Sequence, residues 1–291
     1  MAMAMNSVAV LPAQVRARRR KAAKPWLLLA PSLVFIWLAF LIPLGYMLWL
    51  SVSEPTVSLA NYAAIFELPF YNQVMWRTFL IAVIVAVICL LLAYPVVLYA
   101  VKANNWLSKS ILIAAGLSFW ISFIVRTYAW MVILGNGGPV IATIKAMGID
   151  PAPRILFTST ASVIGLVHIL IPYMILSLYS VVSRIEPNLE RAAVSLGASR
   201  WRAFVHVYFP LSLPGVVNGC LLTFIFCIGF YVAPALLGGP RDQMIGGIIA
   251  MQITELLEWG LASALAMLLL MVTFVALLIY DRLVGLDRLW G

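Results

Sequence analysis

Six long apolar runs occupy most of this 291-residue sequence, and they constrain its fold more than any other feature. The runs extend over residues 26–50, 78–101, 110–134, 159–182, 211–233 and 259–284. Each is long enough to cross a hydrocarbon core of about 30 Å as a helix of about 20 residues. Only 10% of the residues are charged, against about 25% in an ordinary soluble domain. We therefore predict an all-α membrane protein with six transmembrane helices.

The first apolar run follows a basic segment, residues 1–25, so a cleaved signal peptide is an alternative explanation for it. The run has 25 residues, whereas the apolar part of a signal peptide has about 7 to 15. No small-residue cleavage site follows it. We therefore expect a cytoplasmic N-terminal segment over residues 1–25 and a transmembrane domain over residues 26–291, with the first run kept as an anchor.

The distribution of basic residues predicts the orientation of the chain. With six crossings, fourteen of the nineteen Lys and Arg residues fall on the side that carries both termini, and three fall on the other side. Cytoplasmic segments are enriched in Lys and Arg, so both termini are expected in the cytoplasm. The net charge of +9 would suggest nucleic acid in a soluble protein, but here it lies in short segments between apolar runs. We expect contact with membrane lipid and none with nucleic acid.

Motifs for catalysis and for metal or cofactor binding do not occur in the sequence. The stretch GNGGP at 135–139 lacks the Lys and hydroxyl residue of a phosphate-binding loop. The three cysteines lie inside apolar runs without metal-site or disulfide spacing. The two histidines, His168 and His206, stand apart, and neither belongs to an H-E-x-x-H motif. We predict a chain that is not an enzyme, with no catalytic site, metal or cofactor.

The loop over residues 183–210 carries the most informative local pattern. Pro187 suits a first helical position, Gly197 is predicted to end that helix, and Ser199 is predicted to cap a second helix reaching toward Phe209. One face of the first helix, at spacings i, i+3, i+4 and i+7, consists of Leu189, Ala192, Ala193 and Leu196. Its two alanines permit close approach of another protein. Docking to a partner and shielding of the inner leaflet both remain open.

This loop resembles the EAA loop in permeases of ATP-binding cassette (ABC) importers, whose pattern is Glu-Ala-Ala, three residues, Gly and a later Pro. Matching positions are Ala192, Ala193, Gly197 and Pro214. Arg191 stands at the position of the motif's Glu, and Glu190 is displaced from it by one. Three further stretches resemble permeases of spermidine/putrescine-type importers, which have a methionine-importer-like fold: FWISFIVRTYAWMVIL at 119–134, PYMILSLYSVV at 172–182 and YVAPALLGGP at 231–240.

The resemblance implies a permease subunit in a bacterial inner membrane, with five core helices over about residues 75–284 and a peripheral N-terminal helix. It implies cytoplasmic ATPase subunits, a second permease, homologous or identical, and a periplasmic solute-binding protein as partners. The solute would be small, such as a polyamine or a related cationic or organic solute. Residues expected to couple to the ATPase are Leu189, Glu190, Arg191, Ala192, Ala193, Leu196 and Gly197. The alternative function is a stand-alone secondary transporter or channel.

Arg126 is the strongest candidate for a residue in the solute pathway. A charge in the middle of an apolar run costs about 2.5 to 3.5 kcal/mol in lipid, so Arg126 should face protein or a water-filled cavity. It either lines the pathway or hydrogen-bonds carbonyl groups near the GNGGP turn. Tyr128 and Trp130 either line the pathway or belong to an interfacial aromatic belt. Pro172 and Tyr231 complete the candidates, near Pro and Gly residues that suit a hinge.

Overall fold

A computed structural model describes residues 11–103 and 106–284 of the protein. In those ranges the secondary structure is helical, without β-strands. The α-helices are α1 (Leu11–Ser53), α2 (Ala60–Glu67), α3 (Pro69–Ala103), α4 (Trp106–Leu117), α5 (Phe123–Leu134), α6 (Pro139–Ala146), α7 (Ser159–Val182), α8 (Pro187–Ser195), α9 (Arg200–Ala203), α10 (Phe209–Gly229), α11 (Val232–Leu237), α12 (Ile245–Met251) and α13 (Trp259–Val284). This confirms the all-α prediction.

Five segments of the described chain are long and apolar enough to cross a membrane as continuous helices. They are Leu29–Ser53, Pro69–Ala103, Ser159–Val182, Arg200–Gly229 and Trp259–Ile279. A sixth crossing results if Trp106–Trp120 and Phe123–Ala146, which are bent by 103° at a short break, count as one span. The predicted number of six spans is reached in this way, with one span broken.

The third apolar run is therefore not the continuous helix expected over residues 110–134. After α4, a single 3₁₀ turn covers Ser118–Trp120 and α5 begins only at Phe123. Between them Ile121 has an extended backbone, with φ −88° and ψ 123°, which ends the helical hydrogen-bond ladder. Residues 118–122 contain neither Pro nor Gly, so the local sequence offered no signal for the break.

The second helix of the 183–210 loop also differs from the prediction. Ser199 caps it as expected, its side chain accepting a hydrogen bond from the Arg202 backbone N–H at 3.3 Å. The helix does not stop near Phe209 but passes through a π-helical turn, Phe204–Tyr208, directly into α10. Pro210 lies inside this continuous segment, directly after the π-helical turn, and removes one helical N–H donor without ending the helix. The loop and the fifth span are thus mechanically continuous.

The described chain separates into two compact units between Leu50 and Ser51. In the first unit, almost every described side chain from Leu29 to Leu50 is exposed. An apolar helix that exposes all of its faces is typical of a span surrounded by lipid.

The core of the second unit lies where α3, α7 and α10 pack together. Glycines on α10 allow this packing, since a Cβ on Gly219 would lie 2.5 Å from the Met174 sulfur and one on Gly215 would lie 3.0 Å from Val181 Cβ. Small residues let membrane helices approach closely and gain dispersion energy. At the other end of α3, Tyr71 accepts a hydrogen bond from Gln252 at 3.2 Å, which ties α3 to the turn after α12.

Candidate functional site

Helix α8 has the boundaries that the sequence predicted. Glu186 is its N-cap residue, Pro187 its first residue, and Gly197 follows it with φ +94°. The N–H of Ala198 donates to Ala193 O at 3.1 Å and that of Gly197 to Val194 O at 3.0 Å. This pair of bonds is a Schellman motif, which needs a left-handed residue at the position of Gly197. The glycine therefore stops the helix and turns the chain toward Ser199.

The predicted apolar face of α8 is largely open to solvent. Leu189 is 42% and Leu196 is 89% exposed, and Ala192 is also exposed. Ala193 is half-buried. A helix that leaves its apolar positions uncovered is suited to contact another protein.

Glu190 turns away from that face and forms an ion pair with Lys102. The Lys102 Nζ lies 2.9 Å from a carboxylate oxygen of Glu190 and 5.3 Å from the ring centroid of Tyr208. The pair joins α8 to the last turn of α3, 88 positions earlier in the chain. Lys102 was missed as a site residue because a lysine at the end of an apolar helix is ordinary in sequence.

Aromatic side chains connect this region to α10. Phe204 stacks on Trp201 and Tyr208 at centroid distances of 5.8 and 6.0 Å. Tyr94 of α3 meets Phe204 edge-on at 6.2 Å, and its hydroxyl lies 2.8 Å from Ser212 Oγ. These contacts join α9 and the π-helical turn to both α3 and α10.

Arg126 lies within the broken third span, in the first turn of α5, and not at the GNGGP turn. Its Nη1 donates to Ser118 Oγ at 3.0 Å, across the break between α4 and α5. Its Nε has no hydrogen-bond acceptor among the described residues. The hydrogen bonds to turn carbonyls that the sequence left open are not observed in this part of the chain. The side chain is only partly covered, on a face where Val125 is 61% and Tyr128 is 54% exposed.

The break in the third span faces a second break, between α10 and α11. Phe123 at the start of α5 packs edge-on against Phe230, which follows Gly229, at a centroid distance of 5.4 Å. Tyr173 of α7 lies between Phe119 and Phe226, at 4.7 Å from each ring. Two interrupted helices and a cluster of aromatic rings therefore share one region. Sequence reasoning missed this cluster, since phenylalanines in apolar runs give no local signal.

The other pathway candidates fall in different environments. Trp130 of α5 packs edge-on against His168 of α7 at a centroid distance of 5.7 Å, and His168 is exposed. Tyr231 is 47% exposed beside the second break. Pro172 is buried inside α7, which continues through it without a break. Among the described residues, no group of three His, Cys, Asp or Glu side chains could hold a metal ion.

Residues 22–285 match the family model of the binding-protein-dependent transport system inner membrane component. The spermidine/putrescine transport system permease protein PotB of Haemophilus influenzae is 33% identical over 86% of this chain and 91% of its own length. PotB of Escherichia coli is 31% identical over 77% of this chain and 82% of its own length.

Solved structures agree in fold. The chain is similar to a subunit of a bacterial alginate ABC transporter in complex with its alginate pentasaccharide-bound periplasmic protein, with a TM-score of 0.70 and 17% identity. That likeness covers 92% of this chain and 98% of the other. The MetNI methionine ABC transporter gives a TM-score of 0.54 over 73% of this chain and 94% of the other, at 19% identity.

Proposed function

Because this chain belongs to the family of binding-protein-dependent transport system inner membrane components, it is the permease subunit of an ABC importer, and we propose that α8 is the helix through which its ATPase drives transport. The observation that carries this proposal is α8 itself. It is a short helix with an uncovered apolar face, ended by a Schellman turn and joined to α3 and α10. The stand-alone transporter or channel is not favoured, since family membership implies separate ATPase and binding-protein partners.

The orientation that we propose places both termini and α8 in the cytoplasm. The Lys102–Glu190 ion pair supports it, because it puts the basic end of α3 and the Arg-rich 183–210 loop on the same side of the protein. ATP is hydrolysed in the cytoplasm, so a helix that receives the ATPase must lie there.

We further propose that the two helix breaks border the solute pathway and a second permease, homologous or identical. Residues 118–122 combine non-helical backbone with exposure, Trp120 reaching 87%. Within hydrocarbon, unpaired backbone groups cost several kcal/mol, so irregular backbone at that depth occurs only against protein or water. Arg126 and His168 lie near the same region. Ionisable side chains within hydrocarbon must likewise face protein or water. Arg126, Tyr128, Trp130 and Tyr231 remain the proposed pathway residues, whereas buried Pro172 would act by shaping α7.

The solute proposed for this permease is a polyamine or a related organic cation. The relatives named above as spermidine/putrescine permeases support this choice. The aromatic rings at the two breaks offer faces that attract ammonium groups. Arg126 places a fixed positive charge in the same region and opposes tight binding of a cation there. We therefore assign affinity for the solute to the binding protein and its passage to this chain.

The test uses the complete importer, purified through a tag on this chain and reconstituted in vesicles with its binding protein. We expect the ATPase to copurify and labelled spermidine or putrescine to accumulate only when ATP is supplied. Ala192→Trp should reduce both the bound ATPase and the uptake by about tenfold, because overpacking a close contact costs about 1 to 3 kcal/mol. Ala192 is exposed in this chain, so the added ring meets only a partner.

Ala192→Ser is the matched control, since it changes the same position with little added volume and should behave as the wild type. A tryptophan variant with unchanged ATPase binding and uptake would remove α8 from the docking surface. ATP-dependent uptake of another solute, with none of either polyamine, would reject the proposed substrate and leave the permease role intact.

A further inference from the structure

A shallow apolar groove of about 300 Å³ runs along the membrane-spanning part of the second unit, where α3, α10 and α13 meet. Its sides are formed by Val83 and Val87 of α3 and by Ala276 and Ile279 of α13. Every lining side chain is apolar except the thiol of Cys220 on α10. Val87 and Ile279 are 47% and 54% exposed, so the groove opens at the surface of this unit.

The two ends of the groove differ. At one end Phe224, which lines the groove, packs edge-on against Phe79 of α3 at a centroid distance of 5.4 Å. Phe79 lines a separate apolar pocket nearer the start of α13, so this pair of rings bounds the groove. At the other end, Arg282 lies one turn of α13 beyond Ile279 and is exposed. The apolar groove therefore leads toward a cation.

Arg282 is available to a ligand. Among the residues that the structure describes, no carboxylate lies at ion-pair distance from it. The preceding residue, Asp281, is displaced from it by about 100° around the helix axis. An arginine at the end of a membrane helix reaches the headgroup region, where it attracts anionic lipids.

The size of the groove decides between a helix and a lipid chain as its occupant. One turn of α-helix, about 10–12 Å wide and about 5.4 Å high, fills about 400 to 600 Å³, which exceeds the volume of the groove. Linear acyl chains are narrower and form the hydrocarbon core around every span. Because a lipid tail is already in an apolar medium, the groove adds dispersion contacts but no hydrophobic gain. Selectivity must therefore come from the headgroup.

We propose that this groove binds one acyl chain of an anionic phospholipid, whose phosphate pairs with Arg282. In the proposed orientation α13 ends on the cytoplasmic side, so the lipid belongs to the cytoplasmic leaflet. Anionic lipids give that leaflet a negative surface potential. The site is built from α3, α10 and α13 and does not depend on the docking of an ATPase to α8.

The first experiment uses the complete importer in phosphatidylethanolamine vesicles with a small fraction of phosphatidylglycerol that carries a diazirine on one acyl chain. After illumination, mass spectrometry should find the label on the groove segments 83–87, 217–224 and 276–279. Unlabelled phosphatidylglycerol should compete about fivefold better than phosphatidylcholine with the same chains, as expected for one cation near an anionic headgroup.

Two variants separate the chain from the headgroup. Ala276→Phe places a ring in the groove and should reduce labelling of the groove segments several-fold. Val275→Phe is its matched control, because Val275 is exposed on the same helix but does not line the groove. Arg282→Gln should keep the labelled segments but remove the preference for phosphatidylglycerol. Lys109→Gln, at an exposed cation of α4, should leave that preference unchanged.

Three results would overturn the proposal. Label spread equally over the groove and the exposed face around Val275 would show lipid that merely surrounds the span. A preference for phosphatidylglycerol that survives Arg282→Gln would remove the headgroup contact. A groove that takes no label, with Ala276→Cys forming cross-links to another transmembrane helix, would show a protein occupant. ATP-dependent uptake by the same vesicles tests the permease function separately from the lipid site.

Discussion

At the residue scale, the positions that tolerate least change are those where backbone passes close to backbone. Gly138 is one, because a Cβ on it would collide with the carbonyl oxygens of Val132 and Ile133 at the end of α5. A Cβ on the adjacent Gly137 would meet no atom within 4 Å. The two glycines of one turn therefore have different roles, a close approach for Gly138 and open space for Gly137.

We predict that Gly138→Ala destabilises the protein by about 1 to 3 kcal/mol, because backbone carbonyls cannot move away as a flexible side chain can. The melting temperature of the detergent-purified chain should fall by several degrees. Gly137→Ala, the matched control, should melt with the wild type. Equal melting temperatures for both variants would contradict the close approach at Gly138.

Arg126 offers a second test at this scale. Arg126→Leu should leave the chain inserted and the complex assembled but reduce uptake several-fold, because the proposed pathway face loses its charge and its link to Ser118 across the break. Uptake into vesicles and melting temperature are measured together. Ser118→Ala removes the hydrogen bond alone and should have the smaller effect. Normal uptake with a lowered melting temperature would assign Arg126 a purely structural role.

At the scale of elements, the end of α8 depends on the backbone conformation of one residue. Its Schellman turn depends on Gly197, whose φ of +94° is strongly disfavoured for a β-branched residue. No neighbouring atom lies within 4 Å of a Cβ at this position, so any penalty there comes from the backbone conformation alone. The same turn directs the chain into α9 and, through the π-helical segment, into α10.

Gly197→Val should therefore uncouple the importer, lowering solute-stimulated ATP hydrolysis several-fold while membrane insertion remains normal. Gly197→Asn is the control, since asparagine tolerates left-handed backbone better than other non-glycine residues. It should keep most of the coupling. If valine and asparagine behave alike, the conformation of Gly197 does not control the position of α8.

At the scale of the whole molecule, the contrast between the two ends of the bundle predicts its topology. Lys102 and the loop arginines gather at the end that carries α8, whereas only Lys145, Arg154 and Arg241 belong to the segments assigned to the other side. Reporter fusions at Gly197 should be cytoplasmic, and fusions at Asn61 and Lys145 should be periplasmic. A periplasmic signal at Gly197 would invert the orientation and exclude ATPase docking on α8.

The sequence by itself determined the number of apolar spans, the absence of strands in the described chain, and the start and end of α8. These features depend on rules that act within a few residues: apolar length, a proline at a first helical position, and a glycine at a helix end. The same local rules placed Leu189, Ala192 and Ala193 on one helix face.

Only the tertiary structure decided where the third span breaks, which side chains gather at that break, and where Glu190 points. Residues 118–122 have no helix breaker, and the Phe123–Phe230 and Lys102–Glu190 contacts join positions far apart in the chain. Such contacts depend on how α3, α7 and α10 pack, since side chains select partners from all helices that meet them. An apolar run indicates that a segment enters the membrane, but not which of its faces another helix will cover.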